Sequence, residues 1–560
     1  MKIETVKYSI TGMTCDGCAR SVEGSLDGKN GIINKSVSFK EGAGEFQFDG
    51  DAITKKEIAE IINATRYKVA GEITENGGGS AAKIRKKENK KTTNRRFDYD
   101  LIIIGGGSAA FAAAIKASGF GKKTLMINYG LPIGGSCVNV GCVPSKTLIR
   151  NAEQFYDANH PNFEGIKPGE NKLDFKVAVR QKTELVSELR QGKYIDVLKD
   201  DENVKILKGR AELIDANTVA VGEKRYSSEY ILIATGSSTF IPEIEGLEET
   251  GYLTNETLYD LEELPEHLII LGGRYIALEN AQLFSRLGSK ATVLQRSLRI
   301  IPDETPDVTE TLADYLREEN IEIKTGVKIR TARRINGRIR ISATVRDEEE
   351  TIEGSHVFVA TGRKGNAGNF DKTGIELMEK NFVKTNEFLQ TSVPNIYAAG
   401  DITGEYLFVY SAAYEGKLAV ENMFADRKTK KDYSVFPWVI FTTPQVAGVG
   451  MDENQAYKNG VDYEVSTVSL ADVPRSLAAR ETKGFIKLLR DKNSDKLIGA
   501  RILAPEGSEL LMELSLAIKY GVTTAELRDM FHPYLTLSEG VKLAAIGFGK
   551  DIHKLSCCAV

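Results

Sequence analysis

The six cysteines of this 560-residue chain fall into three close pairs: Cys15 with Cys18, Cys137 with Cys142, and Cys557 with Cys558. A single cysteine is usually a small buried hydrophobe, but three close pairs indicate the chemistry of paired thiolates. Two thiolates can exchange electrons as a disulfide, or they can bind a thiophilic metal ion. A disulfide between the adjacent Cys557 and Cys558 would be strained, which leaves the role of this pair open.

Cys137 and Cys142 stand five positions apart in GGSCVNVGCVPSK, before a helix predicted to begin near Pro144. Four intervening residues are too many for a paired zinc knuckle, and no histidine is close enough in sequence to complete one. The positive end of a helix stabilises a thiolate, so this position favours a redox-active pair. A structural disulfide is the alternative interpretation, which a reducing compartment disfavours.

Two glycine-rich turns, each between an apolar run and a helical pattern, predict two dinucleotide-binding units. In IIIGGGSAA, the residues Gly105, Gly107 and Ala110 fit the pattern G-x-G-x-x-G/A, whose backbone N–H groups can approach a diphosphate. Asn128 ends the following strand where an acidic residue usually holds the ribose, and its amide can make that contact without charge assistance. A glycine turn that binds no ligand is the alternative.

The second turn, LGGRYIALE, keeps Gly272 but carries Arg274 where the second glycine of the pattern belongs. Its next strand ends at Gln295, which is followed by Arg296 and Arg299. An acidic residue at this point selects a free ribose 2′-hydroxyl, whereas guanidinium groups suit a 2′-phosphate. The sequence therefore predicts NADPH rather than NADH, with solvated surface arginines as the alternative.

The elements around the first cysteine pair predict a small domain over residues 1–71. Strand, helix, hairpin, helix and strand patterns follow in the order βαββαβ, and Ile58, Ile61 and Ile62 recur at helical spacing. This order is the ferredoxin-like unit. Residues 72–96 are rich in glycine and serine and then strongly basic, which predicts a flexible linker, with a nucleic-acid patch as the alternative.

From about residue 97, strands alternate with helices, which predicts two Rossmann-like units and an α/β fold. Shorter strands and helices from about residue 434 predict a separate α+β domain. The formal net charge is −4 and no apolar run approaches the roughly 18 residues of a membrane span, so we expect neither nucleic-acid binding nor stable membrane insertion. MKIETVKYSI lacks the apolar region of a signal peptide, which predicts a cytoplasmic location.

CVNVGCVPSK, the upstream glycine turn, the ATG segments and IYAAGD together resemble the FAD-dependent pyridine nucleotide–disulfide oxidoreductases over roughly residues 97 to 560. The resemblance implies an FAD-binding domain in two parts, residues 97–240 and 366–433. It also implies an NADPH-binding domain at 241–365 and a dimerisation domain at 434–560 that carries the Cys-Cys tail. A homodimer is expected.

The same resemblance implies roles for individual side chains. Cys137 would be the interchange thiol that meets the substrate, and Cys142 would be the thiol beside the flavin ring. Lys146 would lie near flavin N5 and pair with Glu279, while Tyr275 would cover the empty nicotinamide pocket. The further cofactor contacts expected are Gly135, Ser136, Thr235, Gly236, Gly362 and, for the FAD ribitol and phosphates, Asp401.

Near the C-terminus, FHPYLTLSEG resembles the family segment that carries an acid/base histidine for thiol substrates. Thr536, Ser538 and Glu539 align with that segment, but Tyr534 stands at the histidine position, and His532 is interpreted as structural. A phenol, with an ordinary pKa of about 10, is a poor base at neutral pH. A lipoamide or glutathione substrate is therefore disfavoured, and a substrate that binds thiolates directly is favoured.

ITGMTCDGC matches the signature of heavy-metal-associated domains and places Cys15 and Cys18 on an exposed loop that leads into a helix. Two thiolates suit Cu(I) or Hg(II), and a thioredoxin-like redox pair is the alternative. With Tyr534 and the Cys557–Cys558 tail, the whole chain resembles the mercuric reductase branch of the family. That branch implies reduction of Hg(II), presented as small-thiol adducts, to Hg(0). The rivals are a dihydrolipoamide dehydrogenase-like enzyme and a metal-trafficking protein with a vestigial redox core.

Overall fold

A four-stranded antiparallel sheet and two helices form the first of two units, Met1–Arg95 and Arg96–Val560, in this computed structural model. The structure describes residues 2–13, 16–39, 41–65, 67–73, 97–169 and 171–554. The predicted linker therefore lies almost entirely outside the described residues. The elements of the first unit are β1 (Ile3–Thr11), α1 (Asp16–Gly24), β2 (Ile32–Ser38), β3 (Ala43–Asp49), α2 (Lys55–Asn63) and β4 (Lys68–Glu72).

The strand order β2-β3-β1-β4 confirms the predicted ferredoxin-like arrangement. Alternate residues of β1 (Val6, Tyr8 and Ile10) are buried, as expected for a strand with one face on a core. A capping box begins α2, where the Thr54 hydroxyl accepts a hydrogen bond from the Glu57 N–H.

The first lobe of the second unit contains a seven-stranded sheet in the order β7-β6-β5-β10-β9-β8, with β20 paired to β10. Its early elements are β5 (Tyr99–Ile104), α3 (Ser108–Gly119), β6 (Thr124–Asn128), α4 (Gly135–Val140), α5 (Cys142–Asn159), α6 (Phe175–Arg190), α7 (Asp196–Leu198), β7 (Val204–Lys208), β8 (Ala211–Leu213), β9 (Thr218–Val221), β10 (Lys224–Ile233) and β11 (Ser237–Thr239). The apolar run of β5 is buried on both faces, as expected for a central parallel strand.

The second lobe is inserted between β11 and β20. Its elements are β12 (His267–Leu271), α8 (Tyr275–Leu287), β13 (Lys290–Gln295), α9 (Pro306–Glu318), β14 (Glu322–Thr325), β15 (Val327–Ile335), β16 (Arg338–Val345), β17 (Glu348–Gly354), β18 (His356–Val359) and β19 (Arg363–Gly365). The parallel sheet β14-β13-β12-β18 repeats the strand–turn–helix plan of the first lobe. The two-stranded sheet β11-β19 pairs the chain that enters this lobe with the chain that leaves it.

The chain then returns to the first lobe through β20 (Ile396–Ala398) and α10 (Val409–Phe424). Helices α3 and α10 approach closely. A Cβ added to Gly416 would lie only 2.1 Å from the Ala109 carbonyl oxygen. This contact explains the small residues of α3, of which Ala110, Ala113 and Ala114 are fully buried.

The third lobe is an antiparallel sheet in the order β21-β22-β25-β24-β23, and helices pack against it. Its elements are β21 (Trp438–Ile440), β22 (Gln445–Gly450), α11 (Glu453–Lys458), β23 (Tyr463–Ser469), α12 (Pro474–Ala479), β24 (Phe485–Asp491), β25 (Leu497–Ala504), α13 (Leu511–Tyr520), α14 (Thr524–Asp529) and α15 (Ser538–Ile546). Among the helices of the described ranges, none combines the length and apolarity that a membrane span requires.

Candidate active site

Cys137 and Cys142 lie on two consecutive helices. Cys137 is within α4, and Cys142 is the first residue of the 18-residue α5, two positions before the predicted start. Both carry thiols, and a hydrogen bond joins them. That hydrogen bond lowers the pKa of Cys142 to about 7, with help from the nearby Lys146 ammonium, while the same bond and burial raise the pKa of Cys137. Of the two sulfurs, Cys142 is therefore the one that loses its proton more easily.

An ion pair between the half-buried Lys146 and the buried Glu279 lies beside these thiols. Lys146 Nζ is 2.7 Å from Glu279 Oε2, so α5 of the first lobe contacts α8 of the second. The other carboxylate oxygen of Glu279 accepts a hydrogen bond from the Phe441 N–H at 2.9 Å, and the Lys146 ammonium lies over the Phe441 ring. Both members of the pair that the sequence resemblance implied are thus in contact.

A cavity of about 2490 Å³ opens in front of the thiol pair. It runs between the two glycine turns and is lined by residues from all three lobes. The lining includes most of the residues expected from the sequence: Gly105, Gly107, Asn128, Gly135, Ser136, Cys137, Cys142, Lys146, Thr235, Gly236, Tyr275, Glu279, Arg296, Gly362 and Asp401. Ala110, Gly272, Arg299 and Tyr534 do not line it.

The glycine turn after β5 fits the diphosphate of FAD. Gly105 has a φ of +137°, and a Cβ there would lie 2.1 Å from the Ala234 carbonyl oxygen, so only glycine allows this turn. Thr235 Oγ1, in the cavity wall, is buried and has no hydrogen-bond partner among the described residues. Asp401 also lines the cavity and accepts a hydrogen bond from the Ser237 hydroxyl at 2.8 Å. The glycine turn before a helix, the unpaired buried hydroxyl and the oriented carboxylate together fit a bound dinucleotide.

Asn128 contributes to this turn through its own side chain. Its Nδ2 donates to the Leu131 carbonyl oxygen at 3.0 Å. A Cβ on Gly106 would lie only 2.4 Å from Asn128 Oδ1, so the amide packs directly under the turn. It lines the cavity at the position where a ribose contact is expected.

The turn after β12 fits a second dinucleotide. Arg296 follows β13 and lines the cavity with an exposed side chain. Arg299 lies outside the lining, and its carbonyl oxygen accepts a hydrogen bond from Gln295 Nε2 at 3.4 Å. Gly272 has a φ of +118° and packs against the end of β18, whereas Arg274 precedes α8 and faces the cavity.

Trp438, the one tryptophan of the chain, was not expected in the site. Its ring stacks on Tyr275 with centroids 5.8 Å apart and an interplanar angle of 12°. On β22, Gly448 pairs with Trp438, and a Cβ there would lie 2.5 Å from the indole ring. Burial raises the pKa of Tyr275 to about 12, so its phenol stays protonated. This contact depends on the register of two strands, which the local sequence does not show.

The guanidinium of Arg501 lies 5.5 Å from the centroid of the Trp438 ring. Its Nε donates to Glu304 Oε2 at 2.7 Å, and both side chains are buried. Arg363 was also missed; its Nε donates to the Ser237 hydroxyl at 2.8 Å, next to Asp401. Both arginines orient groups of the cavity wall. Arg363 directly follows the second ATG segment, and that motif could have identified it as a site residue from the sequence.

Tyr534 lies on the segment between α14 and α15 and is 54% exposed. The sequence predicts a structural role for His532, and in the structure its Nε2 lies 2.9 Å from Glu513 Oε1. The Ser538 hydroxyl donates to the other oxygen of Glu513 at 2.8 Å. These contacts fix the segment that carries Tyr534.

The position predicted for Cys18 was wrong. Helix α1 begins at Asp16, so Cys18 lies inside the helix, 4% exposed, against the core around Val22 and Tyr8 rather than on an exposed loop. Cys15, Cys557 and Cys558 lie outside the described residues. Within the ranges that are described, no three His, Cys, Asp or Glu side chains gather as a metal site.

Three protein-family models match most of the chain. Residues 99–416 match the model described as pyridine nucleotide-disulphide oxidoreductase, and residues 436–545 match the dimerisation domain of the same name. Residues 7–68 match the heavy-metal-associated domain. The chain therefore belongs to the pyridine nucleotide-disulphide oxidoreductase family and carries that family's dimerisation domain.

Relatives within this family cover the whole chain. It is 41% identical over 555 residues to a mercuric reductase of Lysinibacillus sphaericus, covering 99% of each protein. It is 39% identical to a mercuric reductase of Staphylococcus aureus, with complete coverage of both. Among solved structures, the HOCl-induced flavoprotein disulfide reductase RclA from Escherichia coli aligns with a TM-score of 0.72 and 28% identity, covering 80% of this chain and 99% of that chain.

Proposed function

We propose that this chain reduces Hg(II) to Hg(0) with electrons from NADPH, which reach the ion through FAD and the thiols of Cys137 and Cys142. The observation that carries the proposal is the pair of free thiols, Cys137 and Cys142, at the cavity wall beside Lys146. Two sulfur ligands suit an ion that accepts linear coordination. The relatives named mercuric reductases support the choice of mercury over other thiophilic ions.

The cofactors would occupy the two glycine turns. FAD would be held by the turn at Gly105 and Gly107 with Asp401, and NADPH by the turn before α8. Bound FAD supplies two-electron transfer between a nicotinamide and a disulfide. Arg296, with Arg299 behind it, would recognise the 2′-phosphate, because a guanidinium pairs with phosphate through two parallel hydrogen bonds.

The thiols do two kinds of chemistry. Two electrons and two protons convert the Cys137–Cys142 disulfide into two thiols. Hg(II) then binds both sulfurs and displaces the remaining protons, which is easiest for Cys142 because its pKa is about 7. Two further electrons reduce the bound ion to Hg(0), and both sulfurs are released as thiolates. Lys146 stabilises that negative charge beside Glu279.

Delivery of the ion would use the other two cysteine pairs. Hg(II), as adducts with small thiols, would pass by thiolate exchange to Cys15 and Cys18 or to Cys557 and Cys558, and from the tail to Cys137. Each transfer forms one mercury–sulfur bond as another breaks, so no free ion is released. The reaction suits the reducing cytoplasm, where these cysteines stay thiols.

We propose a homodimer formed through the third lobe. Met512, Leu516 and Tyr520 recur every fourth residue along α13, and each is more than half exposed. Phe531, on the segment before α15, is fully exposed. A stripe of this kind is typical of a surface that is covered by another chain. In that dimer, the tail and Tyr534 of one subunit would serve the thiol pair of the other.

The alternative is another flavin disulfide reductase, such as a dihydrolipoamide dehydrogenase. An assay of the purified, FAD-loaded protein distinguishes the two functions. The protein is given NADPH and Hg(II) in excess thiol, and the oxidation of NADPH and the release of volatile mercury are measured. The variant Cys557→Ala/Cys558→Ala is expected to lose most of the turnover, while Ser556→Ala serves as the matched tail control. If Hg(II) only inhibits while lipoamide is reduced, the proposal is wrong and the alternative is correct.

A further inference from the structure

In the G-x-G part of the two glycine turns, Gly105–Gly107 and Gly272–Arg274, the sequence differs only where Arg274 replaces the second glycine of the pattern. Gly107 precedes α3 with φ and ψ of −92° and −168°, and Arg274 precedes α8 with −109° and −169°. Both conformations are extended backbone, which any residue adopts. The two positions are therefore equivalent, and the arginine is accommodated without strain.

The glycines before these positions are equivalent as well. A Cβ on Gly105 would lie 2.1 Å from the carbonyl oxygen of Ala234, and one on Gly272 would lie 2.3 Å from that of Ala360. Packing against the neighbouring strand therefore requires glycine at this first position in both turns. Both turns therefore keep the first glycine of the G-x-G pattern, and they differ only at its second glycine, which Arg274 replaces.

At that second position, the protein itself leaves room for a side chain. A Cβ on Gly107 would make only an ordinary contact, 3.6 Å from the Cα of Gly135. Glycine is used there so that the backbone can approach a diphosphate. Arg274, at the equivalent position of the second turn, lines the cavity.

Arg274 has an acidic partner in the cavity wall. Its guanidinium pairs with the carboxylate of Asp303, and the two side chains are 53% and 69% exposed. Asp303 also lines the cavity. An ion pair this exposed contributes little stability, so a diphosphate, which carries two negative charges over its two phosphates, can replace the singly charged carboxylate.

We propose that Arg274 binds the diphosphate of the pyridine nucleotide and leaves Asp303 when the nucleotide binds. The inference rests on the proposed function for its nucleotide, and it assigns a task different from that of Arg296. The diphosphate is common to NADP⁺ and NAD⁺, whereas the 2′-phosphate is present only in NADP⁺. Arg274 thus replaces a close backbone approach with a cationic side chain.

The test measures the Kd values of NADP⁺ and NAD⁺ for the FAD-loaded protein by isothermal titration calorimetry, because the oxidised nucleotides leave the flavin unreduced. Arg274→Ala is expected to weaken both nucleotides by about tenfold. Arg296→Ala, the matched control, is expected to weaken NADP⁺ by about tenfold and leave NAD⁺ unchanged. Asp303→Asn is expected to tighten both by about two- to fivefold, because the competing carboxylate is lost.

Arg274→Lys tests the same contact with a side chain of similar length and charge, and it should retain part of the affinity. Loss of NADP⁺ affinity alone in Arg274→Ala would assign Arg274 to the 2′-phosphate and overturn the inference. Unchanged affinity of Arg274→Ala for both nucleotides would overturn it as well. Unchanged affinity of Asp303→Asn would refute the idea that Arg274 leaves Asp303 when the nucleotide binds. None of these titrations contains Hg(II), so a failure of mercury reduction is a separate result.

Discussion

Lys146 Nζ lies 2.7 Å from Glu279 Oε2, although the two residues are 133 positions apart in the chain. Because Glu279 also accepts the Phe441 N–H, one buried carboxylate connects elements of all three lobes. The contact lies next to the thiol pair, where both of its charged groups act on the pKa of Cys142.

Replacing Glu279 with glutamine is expected to lower the pKa of Cys142 below its value of about 7. The negative charge of Glu279 raises that pKa, and the amide removes the charge while keeping an acceptor for Phe441. A pH titration of thiolate absorbance in the reduced protein measures the shift. Glu153→Gln, which removes a carboxylate elsewhere on α5, should leave the titration unchanged, and a raised pKa in Glu279→Gln would contradict the argument.

Replacing Cys137 with alanine is expected to raise the pKa of Cys142. The hydrogen bond from Cys137 is the largest cause of its low value, and burial acts in the opposite direction. The thiolate absorbance of Cys142 should then be lost around neutral pH and appear only in alkali. Cys18→Ala, in the first unit, is the control. A thiolate that persists at pH 7 in Cys137→Ala would show that Lys146 alone is sufficient.

Replacing Gly105 with alanine is expected to yield protein without flavin. The added Cβ would meet the Ala234 carbonyl oxygen at 2.1 Å, and a φ of +137° is strained for any L side chain, at a combined cost of about 1–3 kcal/mol or more. The ratio of flavin to protein absorbance after purification measures the effect. Gly119→Ala, at the other end of α3, has open space and should bind flavin normally.

Replacing Leu516 with glutamate is expected to produce a monomer. A carboxylate buried in an apolar interface without a partner weakens association by about 100-fold or more. Sedimentation velocity measures the oligomeric state. Leu298→Glu changes a leucine that is 74% exposed in the second lobe and should leave that state unchanged. A Leu516→Glu protein that sediments like the unmodified chain would place the interface elsewhere.

The features that could be predicted from the sequence are local or belong to a known pattern. The spacing of Gly105, Gly107 and Ala110 requires only one strand and one helix, and the structure contains both. The contact between Lys146 and Glu279 followed from resemblance, because no local periodicity links residues so far apart.

The features that were missed depend on register or on a helix boundary. Trp438 reaches Tyr275 only because Gly448 lies opposite it on the next strand, and Arg501 joins them from a third strand. The pairing of three strands cannot be read from local sequence. Cys18 was misplaced because α1 starts at Asp16, before the first apolar position that the helical pattern offered.

The stack of Trp438 on Tyr275 also gives the chain an intrinsic optical probe. Since no other tryptophan is present, all indole emission originates at one wall of the cavity. That emission overlaps the absorption band of a reduced nicotinamide, so nucleotide arrival can be followed by energy transfer in a stopped-flow instrument. Turnover can therefore be observed in the unlabelled wild-type chain, without engineering a fluorophore.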